Sequence, residues 1–389
     1  MNNYLEGIRV LDFSRYIAGP FAGLLLADLG ADVIKVEKTK TGDDTRVLGP
    51  WKDGVSLYYP GYNRGKRSVT VNFRDPRGIE LLKSLIKESD VIVENFRTGT
   101  MAKMGLDYET IKAINPKIIM ASVTGFGQTG PYANRAAFDQ IISAMGGLMR
   151  EDSTGRPIRA NGPVADTMGA MYAVIAILCA LRERDVTGLG QHIDVSMFAG
   201  AVTLKNNELG FCSAHNKPAP KAHADSAPSG PIHVKDGWVS LHAGTDPMWQ
   251  RYKTFTKDPV ALDPKYDDVK LRVEEADMLL DRIEQEYKDC TCEEVEEIFS
   301  KAGIPVGIVM DGMRLLKDKH LRENKHFVRT EIPGAGYADY AGLPFKSSTH
   351  DFSTTCKSAA LGEHNQEIYS TLAGLTEEEI EALRKDGVI

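Results

Sequence analysis

The feature that most constrains the fold of this chain is a regular alternation of short apolar runs and helical patterns through its first half. Apolar runs at 8–13, 32–37, 90–96, 118–123 and 192–197 are typical of buried strands, and helical patterns separate them. Strands that alternate with helices in this way favour a mostly parallel sheet with helices on both faces. The sequence therefore predicts an α/β fold.

The character of the sequence changes in its second half. The segment 213–230 is rich in Pro, Ala, Ser and His and has no apolar period, which is typical of a linker or a loop. Two alternating runs joined by Lys-Asp-Gly follow and predict a hairpin, and a second irregular stretch comes at 331–348. We expect a large domain from residues 1–212 and 331–389 and a smaller α+β domain from residues 231–330, joined by long linkers.

Composition narrows the range of possible functions. The chain has 389 residues, and 47 Lys and Arg stand against 54 Asp and Glu, which gives a net charge of -7. Nucleic-acid-binding domains normally carry a basic excess, so general nucleic-acid binding is not expected. We find no uninterrupted run of about 20 apolar residues and expect no membrane span. The five cysteines form no CxxC pair, which favours a reducing, cytoplasmic location and no metal site.

One glycine motif imitates a cofactor signature. Residues 125–130, GFGQTG, follow a predicted strand and match the G-x-G-x-x-G pattern of dinucleotide-binding folds. That pattern needs a helix directly after its last glycine, whereas Pro131 follows here and the next apolar period begins at about 137. The glycines are therefore predicted to shape a tight turn, and we expect no nicotinamide cofactor and no other prosthetic group.

A single acidic residue opens a long apolar helical pattern. Asp166 stands in ADTMGAMYAV, directly before a helix predicted at about 167–184. Asp is among the preferred N-cap residues, because its carboxylate accepts hydrogen bonds from the free amides of the first helical turn. Taken alone, Asp166 fits two roles, a structural cap and a reactive carboxylate, and the cap is the commoner of the two.

Basic residues cluster near the predicted carboxyl ends of the parallel strands. The segment 61–77 contains five of them against the single acid Asp75, and others lie upstream and downstream. They are Arg64, Lys66, Arg67, Arg74 and Arg77, with Lys35, Lys38, Arg46, Arg97 and Lys103 around them. Ligands of parallel sheets bind outside the carboxyl ends of the strands, so the cluster is consistent with an anion site. A solvated charged face fits the composition equally well.

Several segments taken together resemble the class III CoA-transferase family, also called the formyl-CoA transferase and carnitine CoA-transferase family. They include GIRVLDFSRYIAGPFAG, NRGKRSVTVNF, ENFRTGTMAKMG, SVTGFGQTGPYANRAAFD, ADTMGAMYAV and LGEHNQEI. The similarity runs from about residue 5 to the C-terminus and is weakest between 210 and 340. It implies a Rossmann-like large domain, an interlocked homodimer in which each chain threads the other's ring, and acyl-CoA and a carboxylic acid as substrates.

The resemblance assigns the family's catalytic aspartate to Asp166. It implies that this carboxylate moves CoA from an acyl-CoA donor to an acid acceptor through mixed anhydrides and an aspartyl-CoA thioester. A helix N-terminus would keep Asp166 ionised and would place amide donors near developing oxyanions. The cap and the nucleophile are then compatible roles for one residue.

The resemblance also assigns positions that contact CoA, whose phosphates give the basic residues a ligand. These positions are Ile17, Ala18, Lys38, Asn72, Phe73, Arg74, Asn95, Phe96, Arg97, Lys103, Met104, Ala136, Phe138 and Asp139. Lys38 and Lys103 would meet phosphates, and Phe96 or Met104 would cover the adenine. Some formyl-CoA transferases carry Gln where Ile17 stands, and this departure argues against assuming formyl or oxalate specificity.

Two alternatives to a transferase stay open, an acyl-CoA racemase of the same superfamily and a noncatalytic CoA-binding protein. A racemase of this kind needs a His directly before Asp139, where this chain has Phe138, so two-base racemisation is not expected. The plain structural interpretation has Phe138 starting a helix and packing inward. The polar loop 225–231 stands where the family has a loop that closes over the acyl site, although an interdomain linker fits its composition equally well.

Overall fold

The computed structural model describes residues 3–152, 154–219, 226–352 and 355–389. The strands in these ranges are β1 (Arg9–Asp12), β2 (Asp32–Lys38), β3 (Trp51–Lys52), β4 (Val55–Ser56), β5 (Arg67–Val71), β6 (Val91–Glu94), β7 (Ile119–Thr124), β8 (Arg150–Glu151), β9 (Pro157–Ile158), β10 (His192–Ser196), β11 (Ser229–Val234), β12 (Gly237–His242), β13 (Val306–Ile308), β14 (Phe327–Ile332), β15 (Gly336–Ala341) and β16 (Thr355–Lys357).

The helices in the same ranges are α1 (Ala18–Asp28), α2 (Tyr58–Asn63), α3 (Pro76–Lys87), α4 (Thr100–Lys103), α5 (Tyr108–Ile114), α6 (Asp139–Met145), α7 (Val164–Thr187), α8 (Met197–Val202), α9 (Asn206–His215), α10 (Asp246–Lys253), α11 (Val269–Glu274), α12 (Ala276–Tyr287), α13 (Cys292–Lys301), α14 (Gly312–Lys317), α15 (Lys319–Glu323), α16 (Asn365–Leu372) and α17 (Glu377–Lys385). Short 3₁₀ turns lie at Asp44–Val47, Thr203–Lys205 and Pro264–Asp267.

The chain forms two compact units, one from residues Met1–Asn206 and His320–Ile389 and the other from Asn207–Lys319. The centre of the larger unit is a six-stranded sheet in the order β10-β7-β6-β1-β2-β5, and every neighbouring pair in it is parallel. The prediction of an α/β fold with a mostly parallel sheet is confirmed. The strand that we do not predict is β5, because its RSVTV sequence lies inside the basic segment interpreted as an anion site.

The parallel sheet is buried on both faces. Val10 and Val33 belong to a core that also contains α1 and α7, whereas their chain neighbours Leu11 and Ile34 belong to a second core with α3, α5, α16 and α17. Successive side chains of a strand point to opposite faces, so a sheet covered on both sides needs continuous apolar runs. This explains why the strands appear in the sequence as unbroken apolar segments.

The C-terminal segment completes the edge of this sheet at β5. The Asn365 side chain accepts a hydrogen bond from the Thr70 amide and donates one to the Thr70 hydroxyl, both at 2.8 Å. The Tyr369 hydroxyl donates to the Thr70 carbonyl at 2.7 Å, and the amide of Asn72 donates to the carbonyl of Val388. Backbone and side-chain groups of the edge strand are therefore satisfied by residues that lie far away in the sequence.

Helix α7 meets a length and composition criterion for a membrane span. It has 24 residues and a mean hydropathy of 1.9 over an 18-residue window, although it contains no uninterrupted run of about 20 apolar residues. Our expectation of no membrane span stays a prediction. In the structure 44% of the window is buried. Ala170, Ala173 and Ile177 are fully buried in the core shared with α1, which is the arrangement of a core helix.

The smaller unit is built on a three-stranded antiparallel sheet in the order β11-β12-β13. Strands β11 and β12 pair across the Lys235-Asp236-Gly237 region, so the predicted hairpin is confirmed. Helix α13 begins with a capping box, in which the Thr291 hydroxyl accepts from the Glu294 amide and the Glu294 carboxylate accepts from the Thr291 amide.

The stretch 331–348, which we expected to be irregular, contains a hairpin. Strands β14 and β15 pair antiparallel, and β16 pairs parallel with β14. The buried residues Val328, Thr330 and Ile332 alternate with exposed ones along β14. Glycines and a proline at the turn hide this alternation in the sequence.

The polar loop that we interpret as a lid or a linker is described only in part. Residues 220–225, including Asp225, lie outside the described residues. The Ser226 and Ser229 hydroxyls form hydrogen bonds with the two ring nitrogens of His242, at 3.2 and 2.9 Å, within the smaller unit. Closure over an acyl site therefore stays a prediction.

Candidate active site

The carboxyl ends of β1 and β6 lie side by side where the order of the sheet changes direction. The chain adds β2 and β5 on one side of β1 and then β6, β7 and β10 on the other. Such a switch point leaves a crevice in which ligands of parallel sheets bind. The Asn95 side chain spans it, accepting from the Arg15 amide and donating to the Arg15 carbonyl, both at 2.7 Å. Ile17, Ala18 and Asn95, all expected to contact CoA, thus lie at this crevice.

Aromatic side chains line the same edge of the sheet. The Phe73 ring meets the Phe13 and Phe96 rings edge-on, with centroid distances of 6.5 and 6.4 Å. Met104 is half-buried against the same apolar core. The structure therefore brings together Phe73, Phe96 and Met104, three residues that the sequence analysis assigns to CoA.

Most residues of the basic cluster form ion pairs with carboxylates of the protein itself. Four of its five members form ion pairs, which favours a structural role over an anion site for these four. The pairs are Arg64 with Asp28, Lys66 with Asp12, Arg67 with Asp32 and Glu367, and Arg77 with Asp75 and Asp386. Upstream, Lys35 pairs with Asp12 and Asp43, and Arg46 pairs with Glu37. Composition shows how many charges a segment has, but not which partners the fold supplies.

The basic residues that face solvent are fewer and follow the carboxyl edge. Lys38 ends β2, Arg74 follows β5, Arg97 follows β6, and Lys103 ends α4. The last three are exposed, and Lys38 is 38% exposed and lies 3.3 Å from Asp44. The backbone amide of Arg74 donates to the Asn72 side chain at 3.0 Å, which fixes that turn. Their contacts with phosphates stay a prediction.

A buried ion pair fixes α1 beside the crevice. The Lys66 ammonium donates to Asp12 at 2.7 Å, to the Pro20 carbonyl at 2.8 Å and to Asn63 at 2.9 Å. Burial lowers the pKa of Lys66 to about 8 despite the attraction of Asp12. Burial would raise the pKa of Asp12, but Lys35 and Lys66 outweigh it and lower that pKa to about 2. The network therefore holds the start of α1 in place through a charge pair that water does not reach.

Asp166 is not the N-cap of its helix, so that interpretation is wrong. Helix α7 begins at Val164, which makes Asp166 its third residue. The cap comes from Asp139 at the start of α6, whose carboxylate accepts from the Ala165 amide at 2.8 Å and from the Asp166 amide at 3.3 Å. The helix amides that we expected to meet developing oxyanions are thus already bound to Asp139.

The charge state of Asp166 also differs from expectation. Burial raises the pKa of Asp166 to about 7, the negative charge of Asp139 adds to this, and Arg159 offsets it in part. We expected the helix N-terminus to keep this carboxylate ionised. The shift differs from this expectation first because the carboxylate is buried, and second because Asp139 occupies the positive end of the helix and repels a second negative charge.

Asp166 is surrounded by three further side chains, Arg159, Tyr58 and Tyr62, which the sequence alone does not identify. Arg159 lies 2.8 Å from the Asp139 carboxylate. Burial and the charge of Asp166 raise the pKa of Tyr58, and burial, Tyr58 and Asp166 raise the pKa of Tyr62 to about 12. The two tyrosine rings are 5.5 Å apart at opposite ends of α2. The only sequence signal for them is the density of tyrosines in YYPGYN, because their proximity to Asp166 arises from the fold.

Phe138 does not pack inward, so the structural interpretation of this residue is wrong. It precedes α6, is 64% exposed, and meets the Tyr16 ring edge-on at 5.8 Å. Ala136, two residues earlier, is also exposed. A phenyl ring cannot exchange a proton, so this position does not supply the second base that a racemase of this fold needs.

The glycine motif is a turn, as predicted. The Gly127 amide donates to the Thr124 hydroxyl at 3.0 Å and the Gln128 amide to Asp194 at 2.8 Å, and the next helix begins only at Asp139. Across the described ranges, we find no group of three or more His, Cys, Asp or Glu side chains arranged to hold a metal ion.

Comparisons with known proteins agree with the resemblance. Residues 5–365 match the model of a family described as CoA-transferase family III. The chain is 33% identical over 395 residues to a succinyl-CoA–D-citramalate CoA-transferase of Chloroflexus aurantiacus, covering 99% of this chain and 98% of the relative. It is 33% identical over 398 residues to the human succinyl-CoA:glutarate CoA-transferase, covering 100% of this chain and 91% of the relative. The crystal structure of a CaiB/BaiF family protein from Brucella suis matches with a TM-score of 0.87 and 34% identity, covering 96% of this chain and 100% of that one.

Proposed function

Because the chain belongs to CoA-transferase family III, we propose that it moves CoA from an acyl-CoA to a carboxylic acid with Asp166 as the covalent nucleophile. Transfer of CoA between an acyl-CoA and a carboxylic acid is the activity of the family. The observation that supports the role of Asp166 is its position, half-buried at the start of α7 between Asp139, Arg159 and Tyr58.

The proposed reaction has four steps and needs no net proton transfer. The Asp166 carboxylate attacks the donor thioester, CoA thiolate leaves, and a mixed anhydride forms. The thiolate attacks the Asp166 carbonyl of that anhydride, which releases the donor acid and forms an aspartyl-CoA thioester. The acceptor carboxylate then displaces the thiolate to form a second anhydride. The thiolate attacks the acceptor carbonyl, giving the new acyl-CoA and restoring the Asp166 carboxylate.

The surroundings of Asp166 suit a carboxylate nucleophile. With its pKa raised to about 7, Asp166 is more basic than an ordinary aspartate. Greater basicity favours attack on a thioester. Tyr58 and Tyr62 surround the site with aromatic surface, which would limit hydrolysis of the anhydride and thioester intermediates.

We place CoA along the carboxyl edge of the sheet. Phe73, Phe96 and Met104 offer apolar surface for the adenine, and the exposed Arg97 and Lys103 follow β6 toward the phosphates. The crevice between β1 and β6 supports this placement, because open parallel sheets bind ligands at such a point.

We propose dicarboxylic acids as the substrate class. Succinate, citramalate and glutarate, the acids in the names of the two relatives, each carry a second carboxylate. Arg159, which neighbours the Asp139 carboxylate beside the nucleophile, supplies a cation suited to such acids.

We also propose that the enzyme is an interlocked homodimer, with the parallel sheet in a Rossmann-like domain. Helix α7 supports a protein partner, because it exposes an apolar stripe of Met171, Tyr172, Ile175 and Leu178. Exposed apolar surface of this kind is a feature of protein interfaces. Light scattering after size-exclusion chromatography measures the mass directly, and a single-chain mass would refute a dimer.

The decisive experiment replaces Asp166 with Asn, which keeps the shape of the side chain and removes its nucleophilic charge. CoA transfer from succinyl-CoA to a panel of acids is measured by mass spectrometry. We expect the Asp166→Asn variant to lose more than about 10³-fold in kcat. Asp185→Asn, an exposed position on the same helix, is the matched control and should keep full activity. Undiminished transfer by Asp166→Asn would refute the nucleophile.

A further inference from the structure

We infer that Arg159 selects dicarboxylic acids by binding the carboxylate at the end of the substrate that does not react. This inference deepens the proposed function, because it presupposes CoA transfer at Asp166. Arg159 would be a specificity residue that contacts the acid, whereas the bond-forming steps would stay with Asp166.

The geometry links Arg159 to the nucleophile through one carboxylate. Nη2 of Arg159 lies 2.8 Å from Oδ2 of Asp139, and Oδ1 of Asp139 accepts from the Asp166 amide at 3.3 Å. Asp139 therefore has the guanidinium on one side and the start of the nucleophile's helix on the other. An acid whose reacting end meets Asp166 would have its other end on the side of Arg159.

The exposure of the Arg159 side chain shows that Asp139 contacts only part of its guanidinium. The Asp139 side chain is 5% exposed, whereas the Arg159 side chain is 44% exposed. A guanidinium has five N–H donors in a planar fork, more than one carboxylate can accept. The exposed part of Arg159 can therefore bind a second carboxylate through two parallel hydrogen bonds while the contact with Asp139 remains.

Charge balance points to the same residue. Two carboxylates, Asp139 and Asp166, already face each other at this site, and a dicarboxylate brings two more negative charges. Negative charges that share one site oppose the binding of further negative charge unless a cation compensates them. Within the described part of the chain, Arg159 is the cation whose charge acts on Asp166 and on Tyr58 beside it.

The test compares two acceptors of equal chain length, glutarate and pentanoate, with one acyl-CoA donor. We expect the wild type to favour glutarate over pentanoate by more than about 100-fold in kcat/KM. Arg159→Met should reduce this ratio about 10- to 100-fold, chiefly by raising KM for glutarate, with pentanoate unchanged or improved. Arg159→Lys keeps the positive charge but lacks the planar pair of N–H donors. Its ratio of kcat/KM for glutarate over pentanoate should therefore lie between those of the wild type and Arg159→Met.

Arg156→Met is the matched control, because Arg156 is exposed in the same β8–β9 hairpin and should leave the ratio unchanged. If Arg159→Met lowers kcat/KM equally for glutarate and pentanoate, Arg159 supports the position of Asp139 and does not select the acid, and the inference is overturned. A changed KM for the acyl-CoA alone would assign it to CoA, with the same consequence. A wild type that does not prefer glutarate would also overturn it.

A binding measurement separates this inference from the proposed function. If the wild type transfers CoA to no acid, the proposed function fails, and calorimetric titration of the CoA-loaded protein still tests Arg159. The inference then requires tighter binding of glutarate than of pentanoate, and loss of that difference in Arg159→Met. Equal affinities in the wild type, or a difference that survives in Arg159→Met, would overturn it.

Discussion

At the scale of single residues, Asp139 has three effects in the candidate active site. Its carboxylate caps α7, pairs with Arg159 and raises the pKa of Asp166. The family resemblance assigns the catalytic role to Asp166, whereas the helical pattern alone favours a cap. Neither identifies the pairing of Asp139 with Arg159, because the two residues meet only after α6 and the β8–β9 hairpin have folded.

The pH dependence of transfer tests the influence of Asp139. Only the ionised Asp166 attacks, so kcat/KM should rise with pH through a pKa near 7, the value that this carboxylate has in the free protein. Asp139→Asn removes the neighbouring negative charge and should move this acid limb to lower pH. Asp185→Asn should leave it in place. A limb that does not move in Asp139→Asn would show that Asp139 does not control the charge of Asp166.

The free energy of unfolding should depend on the charge state of Asp166, and this dependence can be measured without an activity assay. The pKa of Asp166 is about 7 in the folded chain and 3.8 in a model peptide, so its contribution to stability is full below 3.8 and declines as pH rises through 7. Asp166→Asn cannot ionise, so we expect it to exceed the wild type in unfolding free energy by up to about 4 kcal/mol at pH 8, because each unit of the pKa difference is worth about 1.4 kcal/mol. The difference should vanish near pH 4. Urea denaturation at the two pH values measures it, and an advantage that is equal at both would contradict the assignment.

At the scale of elements, the sequence predicts the strands and helices that have a clear apolar period. It does not predict the strands whose stability depends on partners far away in the sequence. Strands β1, β2, β6 and β7 of the main sheet are visible in the sequence because they are mostly buried and their apolar runs are nearly continuous. Strand β10, at the edge, is visible through its alternation of exposed and partly or fully buried residues. Strand β5 is missed because Arg67, at its start, finds its carboxylate partners on β2 and α16. Hairpin β14–β15 is missed because its alternation is short and is interrupted by turn residues.

Helix α1 offers a test of close packing at Gly23. A Cβ there would lie 2.8 Å from Oδ2 of Asp12 and 3.1 Å from Nζ of Lys66, so the missing side chain makes room for the buried ion pair. Gly23→Ala should therefore destabilise the protein by about 1–3 kcal/mol, although helix propensity alone favours alanine. Gly210→Ala in α9, where no atom lies within 4 Å of the added Cβ, is the control and should stabilise by about 0.5–1 kcal/mol. Thermal unfolding that gave the same sign for both would refute this account of Gly23.

At the scale of the whole molecule, the larger unit depends on contacts between distant parts of the sequence. Asn365 makes two hydrogen bonds with Thr70 that no local pattern announces. Asn365→Ala leaves the Thr70 amide and hydroxyl without these partners, and we expect a loss of about 1–3 kcal/mol in unfolding free energy. Gln366→Ala, exposed on the same helix, should change it by less than about 0.5 kcal/mol. Equal effects in denaturant titration would show that the Asn365 contacts do not stabilise the edge strand.

The apolar stripe on α7 gives a prediction for assembly. Ile175 is 54% exposed at the middle of this helix. A charged side chain at the core of an apolar interface costs several kcal/mol, so Ile175→Glu should shift a dimer towards single chains at micromolar concentration. Light scattering would show the change in mass, and circular dichroism would verify that the subunit stays folded. An unchanged mass would place the interface elsewhere.

The discontinuity of the larger unit has a consequence for synthesis on the ribosome. A polypeptide emerges in order from its N-terminus, and domains generally fold as units during this process. Residues 207–319 are contiguous, so the smaller unit can fold as soon as they have emerged. The larger unit must wait, with the β5 side of its sheet lacking its final partners until Asn365 and Tyr369 have been translated. The first half of the nascent chain therefore exposes an incomplete sheet edge while the second half is being translated.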